Sequence, residues 1–432
     1  MKVSVPGDKS LTQRALILAS LAEGESRLSG LLYGGDAAST AAALRCLGAG
    51  IGVLPPDGSD VVVEGVGFTG LTPSNRPLDL GNSGTGTRLL LGVLAGSGID
   101  ATLTGDASLR SRPMARVTEP LTRMGARFEY AAESGRLPVT VHGKRPLQSL
   151  DWTSAISSAQ VKSAILLAGL TGGASVRVSE PAQSRDHTER LFESMGVKVI
   201  GGAVAGGGWE VALTDPPERI WPFDFAVPGD ISSAAFLLAL SVLGGAGDDL
   251  EIERVGLNPT RVAFLEVLQR MGAVVRVERD TTAWGVEQVG TVAARPAELR
   301  GVTVGGEEVP RLIDELPLIA AMGTRAEGVT SITGAAELRA KESDRIAAMV
   351  ENLRALGVRT EERPDGLDVE GSDRPLRGRV RTRGDHRIAM AFGVLGVVGG
   401  NEIEVDDRGA ADVSFPGFWS LLDRLTAERS RA

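Results

Sequence analysis

Cysteine is nearly absent from this sequence. The single Cys46 among 432 residues excludes an intramolecular disulfide framework and any cysteine-rich zinc site. Histidine is almost as scarce, and His142, His187 and His386 are too scattered to suggest a metal motif. The sequence therefore predicts chemistry without a metal or other cofactor. Lysine is confined to Lys2, Lys9, Lys144, Lys162, Lys198 and Lys341 while arginine is plentiful, so a lysine inside a polar motif draws notice. Long apolar runs are missing too: ALILASLA and AILLAGL are broken by charge or glycine well before the ~20 residues a membrane span needs. MKVSVPGDKS has no apolar signal core, so the chain reads as cytoplasmic. A net charge of −9 gives no general attraction for nucleic acid or an anionic membrane, and any anionic ligand must be met by local basic clusters.

What is present is length, apolar content and a repeat. At 432 residues and 42% apolar, the chain is too long for one ordinary core and suggests two or three domains. Apolar, small-residue-rich helical segments start near Ser10, Thr85, Gln160, Ser232, Glu315 and Asp385, at intervals of roughly 70 to 80 residues; such a period must be read before any motif. A more polar helical pattern follows each: LRCLGAGI, LTRMGARF, LFESMGVKV, LQRMGAVV, LRALGVRT and, last, LLDRLTAE. In the first five a glycine follows the last apolar turn, a common helix stop. Alternating strand candidates such as DVVVEGV, GLDVEG and NEIEVDD lie between. Each copy reads as βαβαββ, and six copies are most economically two similar domains of three, of the α/β (α+β) class, with the apolar helices inside.

The turn VPGDKS at Val5–Ser10 is echoed by VPGDIS at Val227–Ser232, and the crossovers are expected there. Residues 1–8 plus 228–432 would form one domain and residues 9–227 the other, the first strand pairing with the C-terminal half.

Chemistry gathers at the helix starts. PGDKSLTQRALILASLAEG puts Lys9, Ser10 and Arg14 where backbone N–H groups and the helix dipole already favour an anion. DLGNSGTGTRLLLGVL repeats the arrangement with Asn82, Gly84, Thr85 and Arg88, its small residues allowing close approach of a ligand. TGDASLRSRPMARV carries Arg110 and Arg112, planar groups suited to a carboxylate or phosphate. SSAQVKSAILLAGL offers Ser157, Ser158, Gln160 and Lys162, and SEPAQSRDHTERL offers Arg185; hydroxyl and amide groups suit a sugar-like polyol or its phosphate. Lys162 reads equally as a surface lysine. In the C-terminal half, LIDELPLIAAM carries Asp314 and Glu315, ELRAKESDRI carries Lys341, Glu342, Asp344 and Arg345, and GDHRIAMAF carries Asp385, His386 and Arg387. Mixed acids and bases of this kind supply proton donors, acceptors and anion clamps together; intrahelical ion pairing is the plainer alternative. GVGFTG at Gly65–Gly70 is followed by TPSNRP instead of a helix, so a dinucleotide fold is not expected. PGDKS lacks the spacing of an ATP-binding loop.

Taken in order, PGDKS with its following arginine, LGNSGTGTR, SRPM, SSAQVKSA, RDHTER, DELP, KESDR and DHRIAM closely resemble the 5-enolpyruvylshikimate-3-phosphate synthase family of enolpyruvyl transferases, over essentially the whole chain. The resemblance implies an inside-out α/β barrel in each domain and an active site in the cleft between them. It implies transfer of the enolpyruvyl group of phosphoenolpyruvate to the 5-hydroxyl of shikimate 3-phosphate, in the shikimate pathway to aromatic amino acids, by a monomer. By the same resemblance Lys9, Ser10, Arg14, Ser157, Ser158, Gln160, Arg185, Asp314 and Lys341 contact shikimate 3-phosphate. Phosphoenolpyruvate is implied to lie against Lys9, Asn82, Gly84, Arg112, Gln160, Arg345, His386 and Arg387, with Asp314, Glu342 and Lys9 catalytic.

Two positions depart from the family pattern. Val413 stands where many members have a lysine before the S/T-[FY]-P stretch, leaving one phosphate contact missing or supplied by Arg408. Leu89 stands where some members have proline. Gly84 is not replaced by alanine, so inhibition by glyphosate is expected. The nearest alternative, a UDP-N-acetylglucosamine enolpyruvyl transferase, typically has a reactive cysteine in the arginine loop, which here reads DASLRSRPM; Cys46 lies instead in the apolar pattern ALRCLG and reads as core. A non-catalytic metabolite-binding homologue would not need Lys9, Asp314 and Glu342 together. RNA 3′-phosphate cyclisation would call for a basic surface.

Overall fold

Each apolar segment forms a helix that begins close to its expected start. In chain order, α1 (Lys9–Leu21), α3 (Gly84–Ser97), α5 (Ala159–Gly172), α7 (Ile231–Val242), α9 (Leu316–Gly323) and α11 (His386–Gly396) are the buried set. Between them run α2 (Gly35–Cys46), α4 (Ala115–Arg123), α6 (His187–Ser194), α8 (Ala263–Arg270), α10 (Arg345–Ala355) and α12 (Phe418–Arg429). The computed structural model describes residues 1–246, 250–280 and 287–429. They fall into two units: Gly7–Val227 together with Glu287, and Met1–Pro6 with the remaining described residues from Pro228 onward.

Local chemistry sets these boundaries. Five of the six buried helices are capped by their own N-cap side chain: Asp8, Ser83, Ser158, Asp230 and Asp385 accept from the N–H of Leu11, Gly86, Val161, Ser232 and Arg387. Each such cap contributes about 1 kcal/mol. The sixth, α9, has no side-chain cap and instead carries a proline in its first turn, where a missing N–H costs nothing. The stop glycines Gly48, Gly125, Gly196, Gly272 and Gly357 all have positive φ, the left-handed conformation that ends a helix without steric penalty.

In the Gly7–Val227 unit the three buried helices are surrounded by three four-stranded sheets. One sheet shows the common plan: Leu78–Asp79 runs parallel to Asp100–Thr104, which pairs antiparallel with Val139–His142, which pairs antiparallel with Arg127–Tyr130. The strand before the buried helix and the strand after it are therefore neighbours, with α3 as their crossover. Small residues let the central helices approach closely: a Cβ on Gly92 of α3 would lie 2.2 Å from the carbonyl oxygen of Ala164 in α5.

The other unit holds α7, α9 and α11 in its core, with, among the described residues, two four-stranded sheets and two two-stranded ones. Its third copy differs from the expected βαβαββ. Among the described residues Arg377–Val380 pairs only with Glu402–Val405, because the chain passes from the second strand through a 3-10 turn at Arg408–Val413 into α12 without two further strands.

The strands at the crossovers are exchanged. Lys2–Ser4 leads into α1 but pairs parallel with Glu251–Gly256, whereas Asp224–Ala226 leads into α7 but pairs parallel with Glu23–Ser29. The unit boundary falls between Pro6 and Gly7, two residues earlier than the turn sequence suggests. The reason is contact: a Cβ on Gly7 would lie 1.8 Å from the carbonyl oxygen of Gly30, so the backbone is already packed within the Gly7–Val227 unit before the cap at Asp8.

Candidate active site

In the Gly7–Val227 unit, the cations stand at three capped helix starts. Lys9, in the first turn of α1, places Nζ 3.3 Å from Asp36 Oδ2 at the start of α2, both largely buried. Ser10 is half-buried beside it. One turn on, Arg14 is buried and donates from Nε to Thr188 Oγ1 at 2.8 Å and from Nη2 to Ser163 Oγ at 2.9 Å, which fastens α1 to α5 and α6. Gln13 Nε2 donates to Ser83 Oγ at 3.0 Å, joining α1 to the start of α3.

A second group of side chains forms around Gly84. Arg112 follows the short helix Ala107–Ser111 and hydrogen-bonds Asn82 Oδ1 and Ser108 Oγ. Arg88 donates from Nη1 to Gln160 Oε1 at 2.7 Å, and Gln160 Nε2 donates to Thr85 Oγ1 at 2.9 Å. A Cβ built on Gly84 would stand 3.0 Å from Arg112 Nη1 and 3.1 Å from Arg88 Nη1. Asn82, Gly84, Arg112 and Gln160 are thus brought together with Arg88 as a pair of guanidiniums over a bare helix start, a geometry matched to a carboxylate or phosphate. Arg110 is exposed and takes no part in this group.

The third start is held from behind. Ser157 Oγ donates to the carbonyl oxygen of Ala182 at 2.7 Å and accepts from its N–H at 2.9 Å, while the Ser158 N–H donates to Glu180 Oε1 at 2.7 Å. Arg185 lies half-buried on the same segment. Lys162 is fully buried, with Nζ 2.8 Å from Glu189 and 3.3 Å from Glu180. Burial alone would lower its pKa, but the two carboxylates hold it above the ordinary value. Neither the ligand role nor the surface role suits this lysine; it is an internal ion pair.

In the second unit the acids dominate. Arg345, 1% exposed, opens α10 and meets three carboxylates: Nε to Asp385 Oδ2 at 2.8 Å, Nη2 to Glu342 Oε2 at 2.6 Å, and Nη1 to Asp314 Oδ1 at 3.3 Å. Burial opposes its charge, but Asp385, Glu342 and Asp314 outweigh that and raise its pKa. Arg387, in the first turn of α11, lies 3.7 Å from Glu315 and 3.9 Å from Asp314. Glu315 also accepts from Ser232 Oγ at the start of α7, and Arg261 Nη2 donates to the same hydroxyl at 2.7 Å. His386 is buried beside Arg387, and Lys341 is half-buried next to Glu342. Asp314, Glu342, Arg345 and Arg387 form one network, with His386 and Lys341 adjacent to it in the chain.

A family model described as EPSP synthase (3-phosphoshikimate 1-carboxyvinyltransferase) matches residues 1–422. The chain belongs to this family. EPSP synthase relatives include the 3-phosphoshikimate 1-carboxyvinyltransferase of Gloeobacter violaceus, 48% identical over 98% of this chain and 96% of that protein. The enzyme of the same name from Halorhodospira halophila is 46% identical over 98% and 92%. Among solved structures, EPSP synthase from Acinetobacter baumannii matches with a TM-score of 0.82 at 37% identity, over 98% of this chain and 95% of that one. The enolpyruvyl transferase NikO from Streptomyces tendae, at 20% identity and a TM-score of 0.75, shares the fold.

Where the chain departs from the EPSP synthase sequence pattern, the structure shows what the neighbouring groups do. Arg408 stacks its guanidinium 4.2 Å from the Trp419 ring centroid and lies 3.8 Å from Asp423. It is occupied by α12, a poor stand-in for the lysine replaced by Val413. Cys46 is half-buried against the core, its sulfur accepting from Arg76 Nη2 at 3.2 Å. Sequence reasoning missed Asp36, Glu180 and Arg261. The first was visible only as an acid in a helix's first turn, the second only as the polar end of the strand VRVSE, and the third carried no signal.

Proposed function

We propose that this chain transfers the enolpyruvyl group of phosphoenolpyruvate to the 5-hydroxyl of shikimate 3-phosphate and releases phosphate. One observation carries the reading: in one unit Lys9 stands at the start of α1 and Arg88 and Arg112 stand together at the start of α3, while in the other Asp314 and Glu342 share the buried Arg345. Two anionic substrates need the first set, and a reaction with one deprotonation and one protonation in each step needs the second.

In the addition step, the 5-hydroxyl oxygen bonds to the middle carbon of phosphoenolpyruvate and its proton passes to Asp314. The π pair of the double bond takes a proton at the methylene carbon, delivered through Lys9 and Glu342. In the elimination step the methyl carbon returns its proton to the Lys9 and Glu342 pair, the double bond re-forms, the bond from the middle carbon to the phosphate oxygen breaks, and the departing phosphate takes the proton held by Asp314. Shikimate 3-phosphate is assigned to Lys9, Ser10, Arg14, Ser157, Ser158, Gln160 and Arg185, with Asp314 and Lys341. Of these, Arg14 already donates to Thr188 and Ser163, so its part is to position α1 and α5 as much as to touch ligand. Phosphoenolpyruvate is assigned to Lys9, Asn82, Gly84, Arg112, Gln160, Arg345, His386 and Arg387. Both sets are needed for one turnover by a cytoplasmic monomer. The arginine loop holds Ser108 and Arg112 and lacks the reactive cysteine of the UDP-N-acetylglucosamine transferases, which favours the shikimate acceptor.

Phosphorus NMR of the purified chain with both substrates tests this. The phosphoenolpyruvate resonance should give way to inorganic phosphate while the acceptor's 3-phosphate resonance persists, and loss of the 3-phosphate or retention of the phosphoenolpyruvate signal would contradict it.

A further inference from the structure

Glu180 ends the strand Val176–Glu180 and is 4% exposed. A buried carboxylate is costly unless its lone pairs are satisfied, and here each oxygen is used differently. Oε1 accepts from the Ser158 N–H at 2.7 Å. Oε2 accepts from Ser184 Oγ at 2.6 Å and lies 3.3 Å from Lys162 Nζ. Lys162 in turn donates to the carbonyl oxygen of Ser184 at 3.2 Å and pairs with Glu189 at 2.8 Å. One carboxylate therefore ties the N-cap of α5 to the residue before Arg185. Ser157, on the other side of the cap, is held to Ala182 of the same segment.

We infer that Glu180 is a positioning residue for the acceptor: through Ser158 and Ser184, with Lys162 as counter-ion, it fixes Ser157, Ser158 and Arg185 in the arrangement that receives shikimate 3-phosphate. This rests on the reading above, which assigns those three residues to that substrate. Glu189 supplies the contrast. It shares Lys162 but touches neither the cap nor Ser184, so it contributes to the ion pair without reaching the ligand groups. A purely structural cluster would make the two acids equivalent.

The test compares E180Q, E189Q and S184A in the full chain, with steady-state kinetics for each substrate and a thermal melt. Wild-type turnover with shikimate 3-phosphate is the reference, and its absence would overturn the functional reading and this inference with it. E180Q should raise KM for shikimate 3-phosphate by about tenfold, the effect of one lost buried hydrogen bond, with kcat and KM for phosphoenolpyruvate within about twofold. E189Q should lower the melting temperature and leave both KM values in place. S184A removes one hydroxyl and should raise KM for shikimate 3-phosphate about threefold, by the low end of the same effect; it decides the matter if E180Q does not fold. Equal KM shifts in E180Q and E189Q, or an unchanged KM in folded E180Q or in S184A, would overturn the inference.

Discussion

Gly84 and Arg112 are matched so closely that one methyl group separates a tolerated site from a crowded one: a Cβ on Gly84 would stand 3.0 Å from Arg112 Nη1. That spacing is tighter than ordinary van der Waals contact, and Arg88 Nη1 at 3.1 Å closes the other side. The guanidiniums would have to move away from the helix start they serve.

Gly84→Ala should therefore raise KM for phosphoenolpyruvate by about tenfold, a strain of order 1–2 kcal/mol, and leave KM for shikimate 3-phosphate nearly unchanged. The unsubstituted chain should be inhibited by glyphosate in competition with phosphoenolpyruvate, and the variant less so. Millimolar resistance in the unsubstituted chain would contradict this.

Asp314 reaches Arg345 at 3.3 Å yet keeps partial exposure, 18% of its side chain, which suits a base that must meet a substrate hydroxyl. D314N should lower kcat by about 10²–10⁴, the range for loss of general base catalysis. Binding of shikimate 3-phosphate alone, measured by calorimetry, should weaken far less. Normal turnover in D314N would remove Asp314 from the mechanism.

Arg345 faces three carboxylates at 1% exposure. R345M leaves the buried Asp385, and the partly buried Glu342 and Asp314, without their cation and should cost about 3–5 kcal/mol of stability, read by urea denaturation. A loss within ~0.5 kcal/mol, ordinary for a surface change, would show that the network does not hold α10 to α11.

Lys162 carries a pH signature of definite sign. Its folded pKa lies above the ordinary 10.5 because Glu189 and Glu180 outweigh the burial that would lower it. Stability from such a group is complete below the unfolded value and is lost as pH rises through the folded one. The melting-temperature gap between wild type and K162M should hold steady from neutral pH to about 10 and narrow only above 10.5. A gap that narrows between pH 7 and 9 would contradict this pairing.

The helices were legible because their apolar runs, caps and stop glycines are local signals: Asp8 three residues before Leu11, or Gly125 after Met124, can be read without any tertiary knowledge. Chemistry at helix starts was legible for the same reason at Lys9, Asn82, Arg345 and Arg387. What joins those starts was not. Asp36 beside Lys9, Glu180 behind Ser158 and Arg261 on Ser232 are set by packing between segments some 20 to 30 residues apart. Lys162 shows the limit most plainly, since a lysine among alanines and leucines is equally consistent with a ligand contact, a surface charge or the buried pair it forms. The sixth copy departs from the other five already in the sequence, where LLDRLTAE has no stop glycine, and among the described residues no strand follows α12.

Phosphate release with a matched pair of acceptors tests the central claim most directly. With phosphoenolpyruvate and shikimate 3-phosphate the chain should release one phosphate per acceptor consumed, and with phosphoenolpyruvate and UDP-N-acetylglucosamine it should release none. Release with the nucleotide sugar, or with neither acceptor, would contradict the account.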